Sequence, residues 1–135
     1  MLSMNATSTT LQLWIKELVD NSVLSVNSTV PAYEAAKLME NSKAGAIIVL
    51  ENQVPVGIVT NRDFTEKIIA HSYPVDTPIR RIMSTPLIFI NPETDINTAA
   101  ELMASKNIRK LPIISDDNVI GMVIASDVAL ALPEQ

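Results

Sequence analysis

The sequence predicts a mixed α/β (α+β) fold built from two consecutive β-α-β-β-α units, and three observations carry that prediction. The chain matches itself at a shift of 64 positions, each copy holds two apolar runs joined by a short polar turn, and a proline-bearing segment separates the copies. At that shift residues 15–63 align with 79–127 without a gap. Nine positions are identical: Ile15/Ile79, Asn27/Asn91, Ala35/Ala99, Ala36/Ala100, Leu38/Leu102, Met39/Met103, Gly57/Gly121, Val59/Val123 and Asp63/Asp127.

In chain order, Leu11 to Val19 reads as an amphipathic helix with Leu11, Ile15, Leu18 and Val19 on one face and Trp14 as a core or interface residue. A short strand, Val23 to Val26, leads to a helix whose first turn suits Pro31 and whose apolar stripe is Ala35, Leu38 and Met39. Strands Ala46 to Leu50 and Val56 to Thr60 follow, joined at hairpin length by Glu51-Asn52-Gln53, and a helix spans Asn61 to Ala70. His71 to Pro78 is the linker. The second copy repeats the order: strand Leu87 to Ile90, a helix carrying Ile96, Ala99, Ala100, Leu102 and Met103, strands Leu111 to Ile114 and Val119 to Ile124 around Ser115-Asp116-Asp117-Asn118, and helix Ser126 to Leu132. The division is 1–13 as an N-terminal extension, 14–72 as the first repeat and 73–135 as the second. A unit of about 60 residues buries only about 60% of its unfolded surface, so the repeats are expected to pack sheet to sheet about a pseudo-twofold axis, with two related clefts between them.

Composition excludes several functions. Forty-seven per cent of the residues are apolar, so the chain is expected to fold. No apolar run approaches the roughly 18 residues of a membrane span. Met1 to Thr10 has neither a basic residue nor an apolar core, so a secretory or transit signal is not expected; a cytoplasmic location is, and the absence of cysteine is compatible with it. Ten basic residues stand against fifteen acidic, for a net charge of −5, and no cluster exceeds the pairs Arg80-Arg81 and Arg109-Lys110. Nucleic acid is thus a poor partner, because sequence-independent affinity needs several phosphate contacts. With no cysteine and only His71, the usual zinc sites are excluded, and a Ser-His-Asp triad would have to run through a linker residue. Glu93 and Asp95, and Asp116-Asp117, read as cap and turn residues. No catalytic constellation emerges, and the chain is read as a non-enzyme.

The stretch Gly57-Ile58-Val59-Thr60-Asn61-Arg62-Asp63 reads as a buried strand running into a helix N-terminus. Thr60 and Asp63, three apart, face the same unsatisfied backbone N–H groups. The arrangement can hold an anion, a pair of hydroxyls, or only itself as a capping box.

The repeated Ala-Ala-x-Leu-Met helix, the following apolar strand and the Gly-h-h-x-x-x-Asp junction together resemble the cystathionine β-synthase (CBS) domain pair, also called a Bateman module. Gly57 to Asp63 is a full version of the family's G-h-h-T-x-x-D, and Arg109-Lys110-Leu111-Pro112-Ile113-Ile114 resembles its basic-Leu-Pro segment. The likeness covers about residues 14–132. It implies regulatory binding of an adenine nucleotide (AMP, ADP or ATP, the last with magnesium) or of S-adenosylmethionine in a cleft between repeats. Asp63 would take the ribose hydroxyls, since a carboxylate only accepts and a vicinal diol offers two donors. Phosphates would meet Thr60, the helix N–H groups opened by Asn61 and Arg62, and the cations Arg62, Arg109 and Lys110.

By the same resemblance the clefts are unequal. One combines Ile58, Thr60, Asn61, Arg62 and Asp63 with Ile108, Arg109, Lys110 and Pro112, plus Leu87 and Ile88 beside the adenine. The other has Met122 and Asp127, but Ile124 replaces Thr60 and Ala44 to Ile48 replaces Ile108 to Pro112. One competent and one degenerate site are expected. The function expected is a ligand sensor acting on an unidentified partner protein. The alternatives are a ligand-independent dimerisation module and, third, an enzyme such as a nucleotide hydrolase. A homodimer is expected through apolar helix faces at Ile68-Ile69 and Leu130-Leu132.

Overall fold

The computed structural model describes residues 23–131, so the expected helix Leu11 to Val19 with Trp14, the extension 1–13 and Leu132 lie outside the described residues. The chain divides into two compact units that part between Leu87 and Ile88.

In the first unit, β1 (Ser25–Asn27) runs parallel to β2 (Ala46–Glu51), which pairs antiparallel with β3 (Val54–Thr60). Between β1 and β2 lies α1 (Ala32–Ser42), ended by Lys43 in the left-handed region at φ 56°. The hairpin is closed by Asn52 and Gln53, both at positive φ (50° and 66°), the pattern of a two-residue turn whose twist matches its strands. After β3 the chain enters α2 (Asn61–Asp63), which widens at once into a seven-residue π-helix, Phe64–Ala70, closed by the His71 N–H on the Glu66 carbonyl at 2.9 Å. Ala35 and Met39 of α1 meet Val26, Ile47, Val49 and Val59 of the sheet to form the core. Four consecutive β2 residues, Ala46 to Val49, are buried, as a central strand requires.

The second unit repeats this geometry at the 64-residue shift. It contains α3 (Ile96–Lys106), β4 (Lys110–Ser115), β5 (Asn118–Ile124) and α4 (Ala125–Ala131). Every Cα pairing of β2 with β3, from Ala46/Thr60 to Glu51/Val54, reappears between β4 and β5, from Lys110/Ile124 to Ser115/Asn118, including a register irregularity one residue after Val49 and after Ile113. Asn107 ends α3 at φ 53° as Lys43 ends α1, and Asp116 and Asp117 turn the hairpin at φ 51° and 63°. Ile90, Ile96, Ala99, Met103, Leu111 and Val123 form this unit's core with Ile113 and Val128.

Two expectations need correction. The strand expected at Leu87 to Ile90 is reduced to a single parallel bridge, Ile90 to Ile113, held by the Ile90 N–H on the Pro112 carbonyl (3.0 Å) and the Ile114 N–H on the Ile90 carbonyl (2.8 Å). Pro86 and Pro92 flank it and have no N–H to extend the ladder. The linker, in turn, is a strap bound along the first unit. Pro31 caps α1 without a side-chain hydrogen bond, and the first free amides of that helix are taken instead by the strap: Ala32 N–H on the Thr77 carbonyl at 2.8 Å and Tyr33 N–H on the Val75 carbonyl at 2.9 Å. The aligned helix α3 is capped by its own Asp95, which accepts from the Thr98 N–H at 2.8 Å. Further along the same strap, which runs on to Leu87, a 3₁₀ turn (Ile79–Arg81) sends Ile79 and Ile82 into the core of the first unit.

Candidate functional site

The junction of β3 with α2 brings Ile58, Thr60, Asn61, Arg62 and Asp63 to one end of the first sheet. Thr60 is extended (φ −120°, ψ 173°) and Asp63 closes the first helical turn beneath it, buried to 6% exposure. Both carboxylate oxygens of Asp63 are engaged. Oδ2 accepts from the Thr60 N–H at 2.8 Å and from the Thr60 hydroxyl at 3.4 Å. Oδ1 accepts from the Ser84 hydroxyl at 3.1 Å and from the Lys67 ammonium at 3.4 Å. The same ammonium donates to the Ile82 carbonyl at 2.6 Å.

Sequence reasoning missed Lys67 and Ser84. Lys67 had a signal, its i,i+4 spacing from Asp63 on one helical face. Ser84 had none, because it reaches Asp63 only through the path of the strap. That path is fixed by two backbone bonds, Ser84 N–H on the Ile58 carbonyl at 2.8 Å and Ile58 N–H on the Ser84 carbonyl at 3.3 Å. They press the strap so closely on β3 that a Cβ at Gly57 would lie 2.6 Å from Met83 Sδ and 3.0 Å from the Ser84 carbonyl oxygen. This close approach is the reason for glycine there.

Arg62 turns outward. Its side chain is 76% exposed and its Nε pairs with Glu66 Oε1 at 2.8 Å; that hydrogen bond, with the guanidinium's charge, holds the Glu66 carboxyl below its usual range. Beside Asn61, a pocket of about 330 Å³ opens between Met39 and Glu40 of α1, the residues Lys43 to Gly45 that follow it, and Phe64.

The second unit gathers the other candidates. Ile108, Arg109 and Lys110 lead into β4, where Lys110 pairs with Ile124 and the buried Pro112 with Met122. The Arg109 carbonyl accepts the Ala125 N–H at 2.8 Å, tying this segment to the start of α4. Asp127, in the first turn of α4, is half-buried, and among the described residues no donor reaches its carboxylate. Leu87 and Ile88, both half-buried, end the first unit and begin the second.

Among the described residues, no helix is long and apolar enough to cross a membrane. The CBS domain family matches the chain twice, over residues 15–70 and 79–134. The chain is 35% identical over 116 residues to the CBS domain-containing protein YhcV of Bacillus subtilis, covering 86% of this chain and 83% of that one. It is 36% identical over 119 residues to the mitochondrial CBS domain-containing protein CBSX3 of Arabidopsis thaliana, covering 84% of this chain and only 58% of that one. Among solved structures, an uncharacterized conserved protein of Pyrococcus horikoshii superposes with a TM-score of 0.78 at 27% identity, covering 90% of this chain and 94% of the other. With the repeated junction, the matching registers and these likenesses together, the chain belongs to the CBS-domain family as a tandem pair, a kind of module that is generally regulatory and ligand-binding.

Proposed function

We propose that this pair is a sensor that binds one adenine nucleotide (AMP, ADP or ATP, the last with magnesium) or S-adenosylmethionine, and that binding biases the relative orientation of its repeats, to which a partner protein responds. The role is regulatory, not catalytic, and cytoplasmic. The observation that carries the reading is the buried Asp63 carboxylate at the mouth of a helix, beside Thr60 and Lys67. In this proposal Asp63 receives ribose hydroxyls, and Thr60 with the N–H groups at Asn61 and Arg62 receives phosphate. Ile58, Leu87 and Ile88 flank the adenine, while Ile108, Arg109, Lys110 and Pro112 supply the opposite wall. The site at Met122 and Asp127 has Ile124 in place of the threonine and is proposed to be empty or to take a less anionic ligand.

Titration calorimetry with AMP, ADP, ATP and S-adenosylmethionine tests this. One tight site per chain is expected, and two tight sites would remove the asymmetry. A second reading, a ligand-independent association module, draws support from two features. The Asp63 oxygens are already satisfied internally, and Ile69 and Leu130 are 74% and 86% exposed on their helices. It predicts a stable homodimer that responds to none of the four ligands.

A further inference from the structure

A carboxylate offers about four lone-pair sites, and on Asp63 all four meet internal donors. These donors are not equivalent. The Thr60 N–H belongs to the helix cap, and Lys67 is anchored separately by the Ile82 carbonyl. Ser84 alone donates from an exposed residue, through a hydroxyl on a rotatable bond, and from a strap rather than from the helix or the strand it joins. It also offers Oδ1 the same group a sugar would offer.

We propose that Ser84 is an internal competitor for Asp63: its hydroxyl occupies the place on Oδ1 that a ribose hydroxyl takes, so nucleotide and the docked Ser84 side chain exclude each other. This rests on the nucleotide reading above and adds to it the residue that sets the affinity. It also supplies a route for the signal. Met83 and Ser84 lie against Gly57 and Ile58, and Leu87, three residues on, is the last residue before the second unit. Undocking Ser84 loosens the strap at the point where it leaves the first unit.

The test compares wild type, Ser84→Ala and Ser84→Thr in calorimetry with AMP, ADP, ATP and S-adenosylmethionine, and with the 2′,3′-dideoxy analogue of the best binder. Removing a competing hydrogen bond to a charged group should tighten binding of the ribose ligand about tenfold in Ser84→Ala. Ser84→Thr, which keeps the hydroxyl, should bind as wild type, and the dideoxy analogue should gain nothing from the alanine. Exchange at the Ser84 amide should quicken when wild type is saturated with ligand. Unchanged or weaker binding by Ser84→Ala, with wild type binding normally, overturns the competition and leaves the nucleotide reading standing. Absence of binding by both proteins overturns the nucleotide reading and the competition with it.

Discussion

The Lys67 ammonium stands 3.4 Å from Asp63 Oδ1 and at the same time donates to the Ile82 carbonyl at 2.6 Å, joining the helix after β3 to the strap. Neither residue is free to leave. Without Asp63 the Lys67 charge would be half-buried with one neutral partner, and the Thr60 amide would lose its acceptor.

Asp63→Ala should therefore lower stability by about 2 kcal/mol in urea denaturation, through the lost cap and the orphaned donors. It should also abolish nucleotide-dependent stabilisation. Asp127→Ala should do neither. With ligand at about 100 times its dissociation constant, wild type should gain roughly 2.7 kcal/mol, visible as a thermal shift that Asp127→Ala keeps and Asp63→Ala loses.

Gly57→Ala should cost about 1–3 kcal/mol, because the new methyl meets Met83 Sδ and the Ser84 carbonyl oxygen. The thioether can swing away, but the carbonyl belongs to the paired backbone. Shortening Met83 to Ala in the Gly57→Ala background should recover part of the loss, and a double-mutant cycle by denaturation would read the coupling. Strict additivity of the two changes would mean that Met83 does not lie against Gly57.

At α3 the cap is a titrating group. Hydrogen bonds from Thr98 hold the Asp95 carboxyl below its ordinary value of 3.8. A depressed carboxylate contributes stability above its unfolded pKa, and that contribution fades as pH falls through the folded one. Asp95→Ala should cost about 1 kcal/mol at neutral pH. Its difference from wild type should shrink below pH 3.8 and vanish once Asp95 is protonated in both states, which denaturation at stepped pH would follow.

Ile79 lies beyond the linker in sequence but in the core of the first unit in space. Ile79→Ala should cost about 2–5 kcal/mol, as for other buried aliphatic truncations. His71→Ala, on an exposed residue of the same connection, should be near neutral in the same melt.

The repeat, helices α1 and α3 and the two hairpins were legible because each rests on local pattern. Ala35 and Met39 keep helical spacing, and Asn52-Gln53 and Asp116-Asp117 sit where a two-residue turn must. The Thr60 to Asp63 junction was legible for the same reason, three residues being within reach of one helical turn. What escaped depends on distant partners. Nothing in the spacing of Ile79 and Ile82 says which unit their side chains enter, and nothing near Ser84 announces a carboxylate 21 residues away. The π-helix after Asp63 carries no compositional mark either. Leu87 to Ile90 has the composition of a strand, but the flanking prolines leave it one bridge.

The course of the strap also bears on how such a chain can be divided or duplicated. The second family match begins at Ile79, yet Ile79 and Ile82 complete the core built by the first. A fragment cut at Ser72, where the sequence repeat would invite it, leaves α1 without the Val75 and Thr77 carbonyls and opens a void among Val26, Met39 and Val59. The unit of inheritance and the unit of folding are out of phase here. A first half that keeps its own core and helix cap has to run on to Leu87.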